Sequence, residues 1–136
     1  KSSIDVKEML DAADVVYMSG GNTYYLLEHV KKSGFSNVLK DHLDAGMLYL
    51  GSSAGAVITC PRIDFIADMD NPDRASLDDF KGLNLVDFLI LPHIDHKKYG
   101  PKASKIAHDL RKTDETIIGL RDNQALYVED TFIKIY

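Results

Sequence analysis

The stretch MLYLGSSAGAVI, residues 47–58, decides the fold of this chain. Its first four residues form a short apolar run, which is typical of a buried parallel strand. Its last residues are small or apolar and favour a helix, and the glycines between the two halves permit a sharp turn. A strand, a tight turn and a helix in this order predict one unit of an α/β fold.

Similar units lie on both sides of this stretch. Apolar runs at residues 14–19 and 88–91 predict two more buried strands, each ending at a loop. Two helices are predicted between the first two strands, the first capped by Asn22 or Thr23 and the second by Ser36. The alternation predicts an α/β fold with a mostly parallel sheet flanked by helices.

The rest of the chain is predicted to contain an irregular segment, one helix and three short strands. Residues 61–81 are polar, show neither helical nor strand periodicity, and are interpreted as a long surface excursion. A helix with its apolar face at residues 103–110 follows the third strand. Short strands are predicted at residues 116–120, 125–128 and 132–135, the last of them as candidates for an antiparallel edge.

The length, net charge and cysteine content of the chain exclude several classes of function. A chain of 136 residues fits one domain, residues 1–136, and a net charge of -5 gives no field that would attract nucleic acid. The single cysteine, Cys60, cannot form an intrachain disulfide and is interpreted as a buried thiol. Because the fold then needs no oxidising compartment, we expect a cytoplasmic location. No apolar run approaches the roughly 20 residues of a membrane helix, so we expect no membrane partner.

Residues 51–55 fit the nucleophile-elbow pattern G-x-S-x-G, with Ser53 in the central place. The predicted strand before it and helix after it are the context that this motif requires. A serine on so sharp a turn projects its hydroxyl from the sheet edge. The competing interpretation is a glycine-rich turn with a capping serine, because the pattern is short.

The loop GGNT, residues 20–23, closes the preceding strand and should lie at the same rim as Ser53. Its backbone amides, that of Gly21 above all, could form half of an oxyanion hole, and the amide of Ala54 could form the other half. A loop that only turns the chain, or a phosphate-binding nest, is the alternative.

His93 ends the third predicted strand and should reach the same rim. An imidazole there could accept the serine proton and later donate it to the leaving amine. Among the other histidines, only His96 lies close enough along the chain to compete for this role.

The motifs GGNT at 20–23, GSSAGA at 51–56, CP at 60–61 and PH at 92–93 together resemble the dipeptidase E (aspartyl dipeptidase) family of serine peptidases. The resemblance implies a flavodoxin-like, class I glutamine-amidotransferase-like fold and cleavage of small peptides without metal or organic cofactor. It assigns catalysis to Ser53, His93 and an acidic residue. Asp68, fifteen residues after Ser53, matches that acidic member, and Asp122 matches another acidic residue near the site.

Two departures from the family pattern carry consequences. Only nineteen residues precede Gly20, whereas family members have further strands before this motif, so the resemblance implies that the N-terminal strands are missing. An unpaired parallel strand favours association. We therefore expect pairing with the N-terminal segment or a homo-oligomer. The segment after His93 also has no arginine until Arg111, whereas aspartyl dipeptidases use an arginine there to hold the substrate's aspartate.

Two other functions share these features. A catalytically inactive or regulatory binding member of the same fold could keep the site without the chemistry. An esterase-like α/β hydrolase has the chain order serine, aspartate, histidine, which Ser53, Asp68 and His93 also follow.

Overall fold

The computed structural model describes residues 3–136. The chain contains both strands and helices, with two 3-10 turns at Asp64–Ile66 and Pro72–Arg74. The elements in chain order are α1 (Ser3–Asp11), β1 (Val15–Met18), α2 (Thr23–Lys32), α3 (Phe35–Asp44), β2 (Leu48–Gly51), α4 (Ala54–Val57), β3 (Leu89–Leu91), α5 (Gly100–Leu110), β4 (Ile117–Gly119), β5 (Leu126–Glu129) and β6 (Phe132–Ile135).

The strands form three two-stranded sheets. β1 pairs parallel with β2, and β3 pairs parallel with β4, whereas β5 and β6 form an antiparallel hairpin. Within the first pair, Met18 is the partner of Gly51, so the two strands end side by side. The predicted α/β fold with parallel strands flanked by helices is confirmed, and the antiparallel pairing is limited to the last two strands.

Of the N-caps predicted for the two helices between β1 and β2, the structure confirms one and contradicts the other. Asn22 caps α2 as predicted, because its side-chain oxygen accepts a hydrogen bond from the Tyr25 amide. The cap predicted at Ser36 is wrong, since α3 already begins at Phe35. Gly34 occupies the N-cap position with φ 77°, a left-handed conformation that glycine adopts without steric cost.

The segment 61–81 is more than a surface excursion. Ile63, Phe65 and Ile66 are buried in the main hydrophobic cluster, next to residues of α2 and β3. Arg62 fixes the start of the segment, since its guanidinium donates two hydrogen bonds to the Glu115 carboxylate. The three apolar side chains are spaced along 3-10 turns, which neither helical nor strand periodicity would reveal.

Cys60 lies in the same cluster and is fully buried. The Ile90 amide donates a hydrogen bond to its Sγ atom, and burial raises the pKa of the thiol to about 11. The interpretation of Cys60 as a buried thiol is confirmed.

One face of the β1–β2 pair is apolar and exposed. Val15 and Tyr17 lie on it beside their partners Leu48 and Leu50. Such a face is a candidate for burial by another element, but the association expected from the sequence stays a prediction. No helix within residues 3–136 is long and apolar enough to span a membrane.

Candidate active site

The loops after β1 and β2 meet above the ends of these strands. The Ser52 amide donates a hydrogen bond to the Met18 carbonyl, at 3.0 Å. A Cβ atom added to Gly20 would lie 3.3 Å from the Cβ of Ser53, so the first glycine of the GGNT loop lies against the elbow serine. The predicted convergence of these two motifs at one rim is present in the structure.

Ser53 lies on a sharp turn between β2 and α4. Its backbone has φ 53° and ψ -113°, a conformation that residues with a side chain rarely adopt. The Tyr49 hydroxyl supports the turn from the strand side by donating a hydrogen bond to the Gly55 carbonyl, at 2.6 Å. Desolvation raises the pKa of Tyr49, which therefore remains a hydrogen-bond donor. The geometry is that of a nucleophile elbow.

Gly55 allows the helix after the elbow to approach β1. A Cβ atom at this position would lie 2.1 Å from the carbonyl oxygen of Met18. We expect Gly55→Ala to lower the free energy of unfolding by about 3 kcal/mol or more, because a backbone atom must move. Ala56→Gly, the next residue of α4, is the comparison and should cost about 1 kcal/mol. Urea unfolding of both variants measures the difference, and equal losses would contradict the close approach.

A chain of hydrogen bonds joins three side chains at this rim. Ser53 Oγ lies 2.9 Å from His93 Nε2, and His93 Nδ1 lies 2.6 Å from Asp122 Oδ1. A carboxylate can only accept, so Nδ1 carries the proton and Nε2 is free to accept the serine proton. His93 has φ 64°, and its side chain is 28% exposed. The arrangement matches that of a serine, a base and an orienting acid.

Asp95 holds Asp122 in position and is not among the residues that the sequence predicted. Its Oδ1 accepts a hydrogen bond from the Asp122 amide, at 3.0 Å, and the neighbouring Ile94 amide donates to the Leu120 carbonyl. The loops after β3 and β4 are thereby joined. The only signal in the sequence was the position of Asp95, two residues after His93.

His96, the competitor of His93, has other contacts. Its Nδ1 accepts hydrogen bonds from the backbone amides of Lys98 and Tyr99. Its ring packs against the rings of His93 and Tyr99, with centroids 6.0 Å and 5.1 Å away. His96 therefore shapes the turn before α5 and makes no hydrogen bond to Ser53 within residues 3–136.

Asp68 is not brought to His93. Its carboxylate accepts a hydrogen bond from the Lys105 ammonium group on α5 and is exposed. Its neighbours Ile66, Met69 and Asp70 line the cavity beside Ser53, which leaves Asp68 on the outer side of the turn. The expectation that Asp68 contacts the imidazole does not match this geometry, in which Asp122 holds that place.

The backbone around Ser53 offers hydrogen-bond donors for an oxyanion. Ala54 is the first residue of α4, so its amide has no acceptor within the helix. Gly21 has φ 131°, which other residues rarely adopt, and its amide has no acceptor among the residues the structure describes. Both residues line the cavity at Ser53.

The side chain of Asn22 has structural partners. Besides capping α2, it donates a hydrogen bond from Nδ2 to the Asn71 carbonyl, at 3.0 Å. Asn22 therefore ties the GGNT loop to the segment 61–81. Any direct role in binding would come from its backbone.

A cavity of about 310 Å³ opens beside the serine. Its lining residues are Gly21, Asn22, Thr23, Ser53, Ala54, Val57, Ile66, Met69, Asp70, Pro92, His93 and Tyr99. In the described part of the chain, no cluster of three or more histidine, cysteine, aspartate or glutamate side chains is arranged to hold a metal ion.

Comparison with known proteins agrees with this architecture. The model of peptidase family S51 matches residues 1–136. An uncharacterized peptidase of Pasteurella multocida is 36% identical over 130 residues, which is 95% of this chain and 62% of the relative. A peptidase E of Streptomyces coelicolor is 31% identical over 126 residues, 88% of this chain and 51% of the relative.

A solved structure shows the same fold. The crystal structure of a candidate peptidase E from Listeria monocytogenes EGD-e superposes with a TM-score of 0.92 and 32% identity, covering 100% of this chain and 65% of that one. The chain thus spans less than two thirds of each of these three proteins. The predicted resemblance is confirmed: the chain belongs to peptidase family S51, a family of serine peptidases.

Proposed function

We propose that this protein is a serine peptidase that cleaves small peptides, with Ser53 as the nucleophile, His93 as the base and Asp122 as the acid that orients the imidazole. The observation that carries the proposal is the continuous hydrogen-bond chain from Ser53 Oγ through the imidazole to Asp122 Oδ1, with distances of 2.9 and 2.6 Å. Family membership supports the reaction class.

The proposed reaction follows from the proton positions. His93 Nε2 accepts the hydroxyl proton while Ser53 Oγ attacks the peptide carbonyl. The amides of Ala54 and Gly21 donate to the oxyanion that forms. The protonated imidazole then gives its proton to the leaving amine, and a water molecule, activated by the same imidazole, hydrolyses the acyl-enzyme. Asp122 keeps the proton on Nδ1 and stabilises the imidazolium.

The size of the cavity supports small substrates. A volume of about 310 Å³ lies at the lower end of the range for small-molecule sites. Met69 and Tyr99 form parts of its wall, and the Tyr99 ring lies 5.5 Å from that of His93. A short peptide would fill such a space.

The order of the three residues separates this site from that of an esterase-like α/β hydrolase. In α/β hydrolases the acid precedes the histidine along the chain. Here the proposed acid, Asp122, is in contact with His93 and follows it along the chain, so the proposed order is serine, histidine, aspartate. The esterase alternative depended on Asp68 as the acid, and Asp68 has Lys105 as its partner.

A fluorophosphonate probe distinguishes the peptidase from an inactive binding member. We expect the probe to label the protein on Ser53, because the imidazole accepts the hydroxyl proton and makes the oxygen nucleophilic. Ser53→Ala should abolish labelling. Ser52→Ala, which changes the exposed serine next to it, is the matched control and should label normally. Mass spectrometry of the tryptic peptide locates the adduct, and a folded protein without label would favour the binding member.

A further inference from the structure

Asp70 is a carboxylate in the cavity that the proposed reaction does not use. It lies in the segment 61–81, two residues after Asp68, and lines the same cavity as Ser53 and His93. Asp68 points to Lys105, but Asp70 is half-buried and faces the space that the substrate would fill. A carboxylate that lines the substrate cavity favours binding of a positively charged group.

One oxygen of this carboxylate is held firmly. The backbone amide and the hydroxyl of Thr23 both donate to Asp70 Oδ2, at 2.8 and 2.5 Å. Thr23 is only 1% exposed and is the first residue of α2, so its position is fixed by the helix. The other oxygen, Oδ1, has no hydrogen-bond partner among residues 3–136. It is therefore held in one orientation and free to accept from a ligand.

The charge of the cavity favours a cation. No lysine or arginine is among the residues that line it, so Asp70 is the one formal negative charge there and has no positive side chain to neutralise it. Lys105, on helix α5, is paired with Asp68. An ammonium group entering the cavity would meet an oriented carboxylate at reduced dielectric, where the attraction exceeds that in water.

The position of Asp70 suits one end of a short peptide. Gly20 lies next to Ser53, and Thr23, which holds Asp70, belongs to the same GGNT loop. In a dipeptide, the α-ammonium group and the carbonyl that Ser53 would attack are both attached to the same Cα atom. A group that binds the ammonium must therefore line the same cavity as the serine. Asp70 lines that cavity together with Ser53 and His93.

We propose that Asp70 binds the α-ammonium group of the substrate and so selects short peptides with a free N-terminus. This inference rests on the proposed peptidase function and adds the group that positions the substrate. Asp70 touches the substrate but takes no part in proton transfer. Its contribution is a charge-assisted hydrogen bond, which acylation of the amine would remove.

The first test uses the unaltered enzyme. Alanyl dipeptides and their N-acetylated counterparts are compared by kcat/KM. We expect the free peptides to react about 10- to 100-fold faster, the range of a hydrogen bond to a charged group. Equal rates for the two forms would overturn the inference. N-acetylated peptides with a lysine side chain form a third set, and rapid, Asp70-dependent cleavage of these would also overturn it.

The second test compares two variants of the same segment. Asp70→Asn should raise KM for the free dipeptides about 10- to 100-fold and leave the acetylated ones nearly unchanged. The new amide can still accept from Thr23, so the loop should persist. Asp73→Asn, an exposed change with the same loss of charge, should leave both sets unchanged. An unaltered preference for free peptides in Asp70→Asn would contradict the inference.

Labelling with the fluorophosphonate separates the two proposals. This probe carries no ammonium group, so Asp70→Asn should be labelled at the rate of the unaltered enzyme. Normal labelling without discrimination against acetylated peptides would refute the role of Asp70 alone. Absence of labelling would refute the proposed function, and calorimetric binding of free and acetylated dipeptides would then still decide whether Asp70 recognises an ammonium group.

Discussion

Ser53→Ala is expected to lower kcat by about 10⁴- to 10⁶-fold, with little change in stability. The variant loses the oxygen that attacks the carbonyl, and the remaining donors at Ala54 and Gly21 can stabilise only a direct attack by water. His93→Ala should cost a similar factor because the hydroxyl, which lies 2.9 Å from Nε2, loses its base. The double variant should be no worse than either single variant, since the two residues act as a unit. Steady-state kinetics on a dipeptide panel measures all three.

His96→Ala is the matched control for the histidine. It removes an imidazole three residues away that packs on His93 and accepts backbone hydrogen bonds, but makes none to Ser53. We expect a much smaller loss than for His93→Ala. If His93→Ala instead kept near-normal turnover on every substrate that Ser53→Ala loses, the base would be misassigned and His96 would be the next candidate.

The features of the site that depend on residues close together in the sequence could be predicted. The elbow depends on glycines within a five-residue window, and the strand before it on a four-residue apolar run. Parallel strands end at one rim, so placing Ser53, Gly21 and His93 together required only the order of the strands. The N-cap at Asn22 is likewise local, because its oxygen accepts from an amide three residues later.

The parts that depend on packing between distant segments could not be predicted. Spacing from Ser53 favours Asp68 as the orienting acid. The structure instead brings Asp122 to His93, and Asp95 accepts a hydrogen bond from the Asp122 amide. Both contacts join residues that are far apart in the sequence, so the periodicity of apolar residues does not reveal them. The burial of Ile63, within the segment 61–81, is equally hard to predict, since charged residues flank it in the sequence.

Asp122→Asn should therefore damage turnover more than Asp68→Asn. With an amide beside Nδ1, the side chain can donate to that nitrogen, and the imidazole then carries its proton on Nε2, where it cannot accept the hydroxyl proton of Ser53. We expect kcat to fall by about 10⁴-fold, the loss typical of this substitution in a serine triad. Asp68→Asn removes an exposed ion pair with Lys105 and should cost far less.

The comparison is made at fixed pH with the same dipeptides, together with fluorophosphonate labelling rates. Asp122→Asn should slow labelling of Ser53 in proportion to kcat, because both reactions need the same proton acceptor. Asp122→Glu is the second variant: it keeps the carboxylate and should recover part of the activity by retaining the proton on Nδ1. A larger loss in Asp68→Asn than in Asp122→Asn would return the orienting role to Asp68, and would mean that the segment 61–81 turns towards His93 when substrate binds.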